Sequence, residues 1–326
     1  MKAWRVHEFG SFREQLTFAQ DVEDPKAPSA GVVIRVRAAA LNFPDLLAIA
    51  GKYQMKAPLP FTPGLEAAGE VIEAGPQSRF KVGDRVMTVA LWGAFAQKIA
   101  AVDAACFPVP DGMTDAQAAS FMITHQTSYF GLVHRTALRE GETLLVHGGA
   151  GGVGTTAIQI GKALGATVIA TAGSEEKLEI CRQCGADHVI NYRTDDFVPH
   201  VRKITKNRGA DVIYDPVGGD VFDRSTKVVA FGGRLLVIGF ASGRIPEIKA
   251  NRILLKNMSV VGLVWGNYQF QRPEMIGPAH QALTELFEQG KIKPVICAEL
   301  PLEELPEGLA MLEERRSHGK VVLKVD

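Results

Sequence analysis

The sequence predicts an α/β protein in which a doubly wound parallel sheet is joined to a separate β-rich domain. From about residue 143 onward, short apolar segments alternate with amphipathic helical segments. Before them, the chain carries short strand-like segments separated by glycine and proline. A glycine-rich turn links the first apolar strand of the alternating part to its helix. Alternating strands and helices are typical of a parallel sheet covered on both faces, and glycine-punctuated strands indicate an irregular β-rich domain.

Six segments of the alternating part are short and apolar, as strands buried on both faces are. A sheet of six strands matches the doubly wound fold that binds nucleotides. The predicted strands are Thr143 to Val146, Thr167 to Ala172, His188 to Ile190, Ala210 to Tyr214, Arg234 to Ile238 and Ser259 to Val264.

Three glycines after the first strand have the spacing of a phosphate-binding turn. Gly149, Gly151 and Gly154 stand in a G-x-G-x-x-G pattern. In this pattern the first glycine allows a tight turn, the second admits a pyrophosphate close to the backbone, and the third lets helix and strand pack. The helix that follows directs unpaired amides, among them those of Gly152 and Val153, towards the turn. The succession of strand, turn, helix and strand predicts a dinucleotide site.

The end of the second strand indicates which dinucleotide binds. NAD sites place Asp or Glu there, roughly 20 residues beyond the glycine turn, to bind the ribose 2′-hydroxyl. Here the chain reads Thr171-Ala172-Gly173-Ser174 without a carboxylate, and Lys177 follows one turn later. Backbone amides, a hydroxyl and an ammonium group suit a 2′-phosphate, so the sequence predicts NADPH rather than NADH.

Composition and charge restrict the partners that are expected. The 326 residues are 46% hydrophobic, with 36 Lys and Arg against 36 Asp and Glu. We expect no nucleic-acid partner, because nucleic-acid binding needs a basic surface. No apolar stretch approaches membrane-spanning length, so no membrane partner is expected. The N-terminal MKAWRVHEFG lacks the features of a signal peptide, and a cytoplasmic location is therefore expected.

Cysteine and histidine do not indicate a metal site. Four cysteines are too few for a disulfide framework in a chain of this size. Cys181 and Cys184 form a C-x-x-C in a helical register without a second pair nearby, so we expect a packed helix face. His125 and His147 have no ligand partner at useful spacing and are expected to be structural hydrogen-bonding residues.

Two domains are expected, because the chain is longer than a usual single domain. The pattern changes to regular strand and helix alternation near Thr124 and becomes irregular again after Trp265. A nucleotide-binding domain inserted between two parts of another domain fits this order. The predicted domains are residues 124–265, which bind NADP, and residues 1–123 together with 266–326, which carry the catalytic groups.

Nine segments of the chain match one protein superfamily in order and spacing. They are ALNFPDLL (40–47), PGLEAAGEV (63–71), VGDRV (82–86), HGGAGGVG (147–154), GADHVINY (185–192), DVIYDPVGGDVFDRS (211–225), GGRLLVIGF (232–240), NRILLKNMSVVGLVWG (251–266) and HGKVVL (318–323). The whole chain resembles the medium-chain dehydrogenase/reductase superfamily, and within it the zinc-independent quinone oxidoreductase branch of the zeta-crystallin type. The resemblance implies a GroES-like catalytic domain and a Rossmann nucleotide-binding domain.

The chain departs from the zinc alcohol dehydrogenases of this superfamily at the ligand positions. Where those enzymes have Gly-His-Glu, this chain has Gly64-Leu65-Glu66, and where they place a Cys ligand ahead of an Asp, it has Asn42 ahead of Asp45. Their four-cysteine lobe has no counterpart, because Cys106 is alone in its region. Without thiolate and imidazole ligands, we expect neither zinc site to form.

The resemblance also implies which residues hold the cofactor. Thr127 resembles the residue that holds the nicotinamide end, although a helical Thr often only bonds its own backbone. Gly151, Gly152 and Val153 are expected to supply amides to the pyrophosphate. The remaining implied cofactor residues are Ser174, Lys177 and Tyr192 as a 2′-phosphate clamp, Val217 after the fourth strand, where the adenosine ribose and diphosphate pass, and Gly239, Phe240, Val264 and Trp265 beside the nicotinamide ribose and carboxamide. For Trp265, stacking on a substrate and plain packing are both open.

Asn42, Asp45 and Tyr53 are the polar groups that the family brings near the nicotinamide, and they are the predicted catalytic residues. Tyr53 resembles the tyrosine that related enoyl thioester reductases use as a proton donor, and a phenol can protonate the carbon beside a carbonyl. Tyrosines also commonly serve as half-buried packing residues, and a quinone needs no protein acid. Asn42 has the further alternative of capping local backbone.

The predicted function is an NADPH-dependent, metal-free transfer of hydride to quinones or small α,β-unsaturated carbonyl compounds. One alternative is an enoyl-thioester reductase acting on acyl-CoA. Another is a crystallin-like protein that binds NADPH without turnover. A homodimer is expected, because the strand Ser259 to Val264 ends the predicted sheet as an apolar edge unless it pairs with a second copy.

Overall fold

The computed structural model describes residues 1–326 and contains fifteen strands and twelve α-helices. In chain order the strands are β1 (Ala3–Val6), β2 (Leu16–Ala19), β3 (Gly31–Ala40), β4 (Glu66–Ala74), β5 (Arg85–Val89), β6 (Lys98–Val102), β7 (Cys106–Pro108), β8 (Thr143–Val146), β9 (Thr167–Ala172), β10 (His188–Asn191), β11 (Ala210–Asp215), β12 (Val229–Val237), β13 (Ser259–Gly262), β14 (Ile296–Pro301) and β15 (Lys320–Lys324). The helices are α1 (Phe12–Gln15), α2 (Phe43–Ile49), α3 (Asp115–Ala119), α4 (Met122–Tyr129), α5 (Gly152–Ala163), α6 (Glu175–Gln183), α7 (Phe197–Ile204), α8 (Gly219–Ser225), α9 (Ala250–Lys256), α10 (Tyr268–Gln271), α11 (Ile276–Glu288) and α12 (Leu305–Glu313).

The chain divides into two units. The first comprises Met1–Ile123 and Pro294–Asp326, and the second comprises Thr124–Lys293. The chain passes from the first unit to the second between Ile123 and Thr124, where the sequence analysis placed the domain boundary. The return to the first unit lies later than predicted, because residues 266–293 belong to the second unit.

Hydrogen bonds within the second unit explain this correction. The side chain of Gln126 donates to the carbonyl of Ile276 at 3.3 Å, at the start of α11. Gln159 on α5 accepts from the amide of Lys293 at 2.6 Å and donates to its carbonyl at 3.0 Å. Both ends of the segment from Ile276 to Lys293 are therefore bonded to helices of the nucleotide-binding unit.

The second unit contains one parallel sheet of six strands in the order β10-β9-β8-β11-β12-β13. Strand order reverses between β8 and β11, and ligands of such sheets bind outside the carboxyl ends of the strands at that point. The central strands are covered on both faces, and every residue of β8 is buried. The doubly wound fold expected from the alternating apolar segments is confirmed.

The first unit is built on a seven-stranded sheet. Its strands follow the order β14-β15-β3-β4-β5-β7, with β6 paired to β3, and β1 and β2 form a separate antiparallel pair. Phe95, Ile34 and Leu41 are among its buried core side chains. The indole of Trp4 donates to the carbonyl of Leu302 at 2.7 Å, which links the two chain segments of this unit. This is the predicted β-rich domain.

Local signals account for several helix starts. Thr114 and Gln117 bond each other reciprocally ahead of α3, with the Gln117 amide 3.2 Å from Thr114 Oγ1 and the Thr114 amide 3.0 Å from Gln117 Oε1. Pro44 lies in the first turn of α2, where its missing amide costs no helical bond. Helix α4 continues into a π-helical turn over Phe130–Arg135.

Candidate functional site

The glycine turn after β8 depends on close backbone packing. Gly148 has a φ of +60°, a conformation that favours glycine. A Cβ on Gly154 would lie 2.2 Å from the carbonyl oxygen of Gly148, so the start of α5 presses directly on the turn. A Cβ on Gly149 would lie 2.9 Å from both Ala170 Cβ and Cys181 Sγ. These two glycines of the motif are therefore required for packing, and the tight turn is made at Gly148.

The second motif glycine has a different environment. A Cβ on Gly151 would meet only the carbonyl oxygen of Gly148, at 3.3 Å. Gly151 is exposed and is the N-cap of α5, so no side chain covers the first helical amides. Gly152 and Val153 are partly exposed, whereas the rest of α5 up to Gly161 is buried. An uncapped helix start beside an open glycine can accept the oxygens of a pyrophosphate.

His147, which directly precedes the glycine turn, is hydrogen-bonded to residues on β9 and α8. Its Nδ1 lies 3.1 Å from Thr171 Oγ1 and its Nε2 lies 2.9 Å from Ser225 Oγ, which itself donates to the carbonyl of Val221. The imidazole therefore donates to Ser225 and accepts from Thr171, which a neutral ring does. Burial lowers the pKa of His147 to about 3, and the charge of Arg224 contributes. The predicted structural role of His147 is confirmed.

A buried cluster of hydroxyl groups joins α4 to the start of α5. Ser128 Oγ lies 2.7 Å from Thr156 Oγ1 and 3.0 Å from Tyr214 Oη, and Thr156 donates to the carbonyl of Thr124 at 3.1 Å. Thr127 lies on the same helix and is partly exposed, whereas its neighbours Gln126 and Ser128 are fully buried. The position of Thr127 is therefore set by buried hydrogen bonds on either side of it.

The residues predicted to bind the 2′-phosphate follow the carboxyl ends of β9 and β10. These strands are parallel neighbours, and Asn191 is paired with Ala172. A Cβ on Gly173 would lie 2.6 Å from Tyr192 Oη, so the phenol lies directly over Gly173. Ser174 is the N-cap of α6 and accepts from the amide of Lys177 at 3.3 Å. Tyr192 is 46% exposed, so its ring can contact a ligand at this corner.

Two loops beyond β11 and β12 lie beside the glycine turn. Asp215 Oδ1 accepts from the amides of Val217 at 2.8 Å and Gly218 at 2.9 Å, which shapes the first loop. The second loop pairs with it, since the Ser242 amide donates to the carbonyl of Val217 at 2.9 Å. A Cβ on Gly148 would lie 3.7 Å from Val217 Cγ2. Val217 is thus placed next to the turn.

The other predicted nicotinamide-side residues follow the ends of β12 and β13. A Cβ on Gly239 would lie 3.4 Å from the carbonyl oxygen of Pro216, so Gly239 belongs to the same pair of loops. Phe240 is 38% exposed and Val264 is 44% exposed. Trp265, in contrast, is buried, and its indole N–H has no hydrogen-bond partner. Packing therefore describes Trp265 better than an exposed stacking surface does.

The C-x-x-C motif forms a packed helix face, as expected. Cys181 and Cys184 are buried, and burial raises the pKa of the Cys181 thiol to about 12. Gln159 donates to Cys184 Sγ at 3.6 Å. No group of three or more His, Cys, Asp or Glu side chains is arranged to hold a metal ion.

The predicted catalytic residues of the first unit lie at the start of α2. Asn42 is the N-cap of this helix, and its backbone amide donates to Asp45 Oδ2 at 2.7 Å. Asp45 is fully buried, and its Oδ1 has no hydrogen-bond partner. Burial is the main reason that the pKa of Asp45 is raised to about 7, while the hydrogen bond from the Asn42 backbone and the charge of Lys320 lower it and the charge of Glu66 raises it. Asp45 is therefore a carboxylic acid that holds its proton up to nearly neutral pH.

Tyr53 follows the same helix and is half-buried. Burial raises the pKa of its phenol, and the nearby Asp45 carboxylate adds to the rise. The Tyr53 amide bonds the carbonyl of Leu47, which ties the segment to α2. The phenol thus keeps its proton at neutral pH, and the charge of Asp45 influences its pKa.

The sequence did not reveal that Glu66 and Lys320 form a buried ion pair beside Asn42. Lys320 Nζ lies 2.8 Å from Glu66 Oε1 and 2.6 Å from Asn42 Oδ1, and Asn42 Nδ2 donates to Glu66 Oε1 at 3.0 Å. The side chains of Glu66 and Lys320 are 1% and 5% exposed. Both residues stand in the family-matching segments PGLEAAGEV and HGKVVL, which was the only available signal.

Strand register explains why these three residues meet. Val322 pairs with Ala40, and Ala67 pairs with Ala39, so β15, β3 and β4 are neighbours in register. Lys320 is the first residue of β15, Glu66 is the first residue of β4, and Asn42 comes two residues after the end of β3. The three side chains therefore lie at one end of three adjacent strands.

No helix of the protein is both long and apolar enough to cross a membrane. Residues 28–111 match the family model of the alcohol dehydrogenase GroES-like domain. Residues 152–282 match the family model of the zinc-binding dehydrogenases. The two matches fall in the two units described above.

Individual proteins resemble the chain over most of its length. A quinone oxidoreductase-like protein 2 homolog of Nematostella vectensis is 38% identical over 296 residues, which cover 90% of this chain and 81% of the relative. The structure of Escherichia coli quinone oxidoreductase complexed with NADPH superposes with a TM-score of 0.91 at 28% identity, covering 99% of this chain and 100% of the other. The CurK enoyl reductase structure superposes with a TM-score of 0.90 at 28% identity, covering 100% of this chain and 99% of the other. The chain therefore belongs to the quinone oxidoreductase type of the medium-chain dehydrogenase/reductase superfamily.

Proposed function

We propose that the protein is an NADPH-dependent oxidoreductase that delivers hydride to quinones or to small α,β-unsaturated carbonyl compounds. The observation that carries the cofactor assignment is the corner at the ends of β9 and β10. There the Tyr192 phenol lies over Gly173 beside Ser174, and no carboxylate ends the strand. The E. coli relative bound to NADPH supports the same cofactor.

The nucleotide-binding unit fits the two phosphate-bearing parts of the cofactor. The open Gly151 and the uncapped amides at the start of α5 suit the pyrophosphate, and Ser174, Lys177 and Tyr192 suit the 2′-phosphate. When bound, NADPH supplies the hydride. Thr127 and Gly239 are the residues we assign to the nicotinamide end, and Val217 is assigned to the adenosine ribose and diphosphate. All three are partly exposed.

The first unit supplies the proton that must accompany the hydride. Addition of hydride to the β-carbon of an enone leaves an enolate, which becomes the saturated ketone on gaining a proton. Tyr53 holds a proton on a half-buried phenol, and Asp45 holds one on a buried carboxyl group. We assign Tyr53 as the donor that faces the substrate and Asp45 as the acid that sets its electrostatic environment.

We propose that the reaction requires no zinc ion. Leu65 stands where zinc alcohol dehydrogenases have a His ligand, and Asn42, whose amide oxygen already accepts from Lys320, stands ahead of Asp45. An apolar side chain and an occupied amide are poor zinc ligands. Dialysis against a chelator should therefore leave the turnover unchanged, and loss of activity that only added zinc restores would contradict the proposal.

An anaerobic panel tests the acceptor class. We expect NADPH oxidation with quinones or alkenals, at a higher kcat/KM than with NADH. Turnover confined to acyl-CoA substrates would identify an enoyl-thioester reductase, the alternative that resemblance to the CurK enoyl reductase supports. Tight NADPH binding without turnover of any acceptor would identify a binding protein.

Substitution of the clamp lysine tests the cofactor assignment separately. Lys177→Ala should raise the KM for NADPH about tenfold, since a hydrogen bond to a charged group is worth about 1.5 kcal/mol or more. The KM for NADH should stay unchanged, because NADH lacks the 2′-phosphate. Lys203→Ala on α7, an exposed lysine of the same unit, is the matched control. An equal change for both cofactors would contradict the clamp.

We further propose a homodimer formed through β13. This strand pairs with β12 on one side only and ends the sheet. Leu254 and Leu255 on the preceding α9 are about three-quarters exposed, at 74% and 75%. Apolar side chains beside an open sheet edge favour pairing with a second copy. Sedimentation at micromolar concentration should show dimers, and a stable monomer would refute this arrangement.

A further inference from the structure

We propose that Glu66 and Lys320 are positioning residues of the reaction, which hold the starts of α2 and α4 in place through one shared carboxylate. The inference rests on the proposed function, because α2 carries Asp45 and α4 carries Thr127. Neither Glu66 nor Lys320 is expected to touch the substrate or the cofactor, since both side chains are almost completely buried.

The burial of this ion pair requires an explanation other than stability. Taking two charges out of water is costly, and a buried pair can often be replaced by apolar side chains of similar volume without loss of stability. The neighbourhood is largely apolar, because Leu41, Ala67 and Val321 are in the same core. A packed apolar pair would fill this space equally well, so the polar atoms themselves must have a use.

The first use is to fix the side chain of Asn42. Its Oδ1 accepts from Lys320 at 2.6 Å, and its Nδ2 donates to Glu66 at 3.0 Å and to the carbonyl of Ala40 at 3.3 Å. An ammonium group only donates and a carboxylate only accepts, so the amide has one permitted orientation. The backbone amide of Asn42 then meets Asp45 Oδ2, and this chain of bonds orients Asp45 on α2.

The second use is to hold the start of α4. Glu66 Oε2 accepts from the amide of Ile123 at 3.0 Å, within the first turn of that helix. A carboxylate at a helix start also interacts favourably with the helix dipole. Each oxygen of Glu66 therefore accepts a hydrogen bond from a different helix start. Oε1 accepts from the N-cap residue of α2, and Oε2 accepts from a backbone amide of α4.

This division of the two oxygens defines a specific test. In the double variant Glu66→Gln/Lys320→Met both charges are removed together, so no uncompensated buried charge remains. Glutamine offers one carbonyl oxygen in place of two, so Asn42 Nδ2 and the Ile123 amide cannot both keep their acceptor. The variant should fold with a Tm close to that of the parent, and one of the two helix starts should loosen.

The kinetic readout separates positioning from structure. We expect kcat to fall by roughly 10- to 100-fold, because small misplacements of reacting groups lower the rate by factors of this size. The ratio of kcat/KM between NADPH and NADH should be unchanged, because the 2′-phosphate corner lies on other elements. Lys320→Arg, which keeps the charge and the donors, should retain most of the parental kcat. A folded double variant with parental kcat would overturn the proposal.

A second ion pair provides the matched control. Arg234 and Glu142 are paired at 2.6 Å, with side chains 19% and 20% exposed. Glu142 directly precedes β8, and Arg234 lies on β12 beside the first residue of β13, at the opposite end of β8 from the glycine turn. Glu142→Gln/Arg234→Met removes the same number of charges. We expect this variant to keep the parental kcat and KM, and an equal loss of kcat in both double variants would overturn a specific role for Glu66 and Lys320.

Hydrogen–deuterium exchange distinguishes failure of the inference from failure of the proposed function. If the parent reduces none of the acceptors, the proposed function fails, and the exchange data still decide the structural claim. Faster exchange in residues 43–49 or 122–129 of Glu66→Gln/Lys320→Met, but not of the control, would support the inference. Unchanged exchange in both segments would overturn it.

Discussion

Replacing Asp45 by Asn should change how the stability of the first unit depends on pH. Asp45 is fully buried and its pKa is raised from an ordinary 3.8 to about 7. Because the folded pKa lies above the unfolded one, its contribution to stability is complete below about pH 4 and is lost as the pH rises through 7. A rise of about 3 pKa units corresponds to a loss of about 4 kcal/mol in the free energy of unfolding.

Asparagine does not titrate, so the variant should not show this loss. Its oxygen can still accept from the Asn42 amide, but its NH₂ group takes the place of the unpaired Oδ1. The neutral carboxyl group leaves one donor unpaired at this position, and the NH₂ group of asparagine leaves two. Each additional buried unpaired donor costs about 1–3 kcal/mol. Asp45→Asn should therefore destabilise the protein near pH 4 and stabilise it by about 1–3 kcal/mol near pH 8.

Urea unfolding followed by tryptophan fluorescence measures this difference. Trp4 and Trp92 both report on the first unit, where they pack against the core. The difference in unfolding free energy between variant and parent should rise by several kcal/mol from about pH 4 to about pH 8. Other titrating groups cancel, because they are common to both proteins. A difference that stays constant across this range would refute the assignment of Asp45 as a buried acid with a raised pKa.

Four further substitutions have defined outcomes. In Gly173→Ala the new Cβ would lie 2.6 Å from Tyr192 Oη, so the exposed ring should swing away; titration should show NADPH binding weakened about tenfold and NADH binding unaffected. In Gly154→Ala the Cβ would meet a backbone oxygen at 2.2 Å, so soluble expression should be lost, whereas Gly151→Ala should fold with a parental Tm and bind NADPH less tightly. The pKa of His147 is lowered to about 3 by burial, so the neutral ring stabilises the fold above about pH 6.5 and this contribution is lost as the pH falls towards 3. Urea unfolding of His147→Gln, followed by circular dichroism, should show a smaller loss of stability towards acid pH than the parent. Equal slopes would exclude His147 as the cause.

The strands of the nucleotide-binding unit were predictable because they are buried on both faces. Thr143–Val146 and Thr167–Ala172 were predicted to the residue, since an apolar run bounded by glycine or charge has clear ends. The first-unit strand β14 was missed. Its residues are mostly half-buried at the sheet edge, so the segment Ile296–Pro301 has no clear apolar alternation.

Helix α4 spans Met122–Tyr129 and continues as a π-helical turn to Arg135. A π-turn changes the hydrogen-bond spacing without changing the apolar pattern, so the sequence does not reveal it. The late end of the second unit was missed for a related reason. It depends on the bonds of Gln126 and Gln159, and two polar side chains carry no periodic signal.

The candidate site was partly predictable. Ser174 and Tyr192 are far apart in sequence but follow the ends of neighbouring parallel strands, and the order of strands in this fold makes that adjacency predictable. The pair of Glu66 and Lys320 was not predictable from residue type. Isolated charged residues are usually solvated, and only the register of β15, β3 and β4 shows that these two are buried together.

A single turnover with NADPH that carries deuterium at both C4 positions of the nicotinamide tests the central claim most directly. The protein is first dialysed against a chelator and then mixed, without oxygen, with a small conjugated ketone or aldehyde. The saturated product should carry deuterium at its β-carbon, and added zinc should not change the reaction. A product without the label, or a reaction that proceeds only after zinc is restored, would contradict the claim.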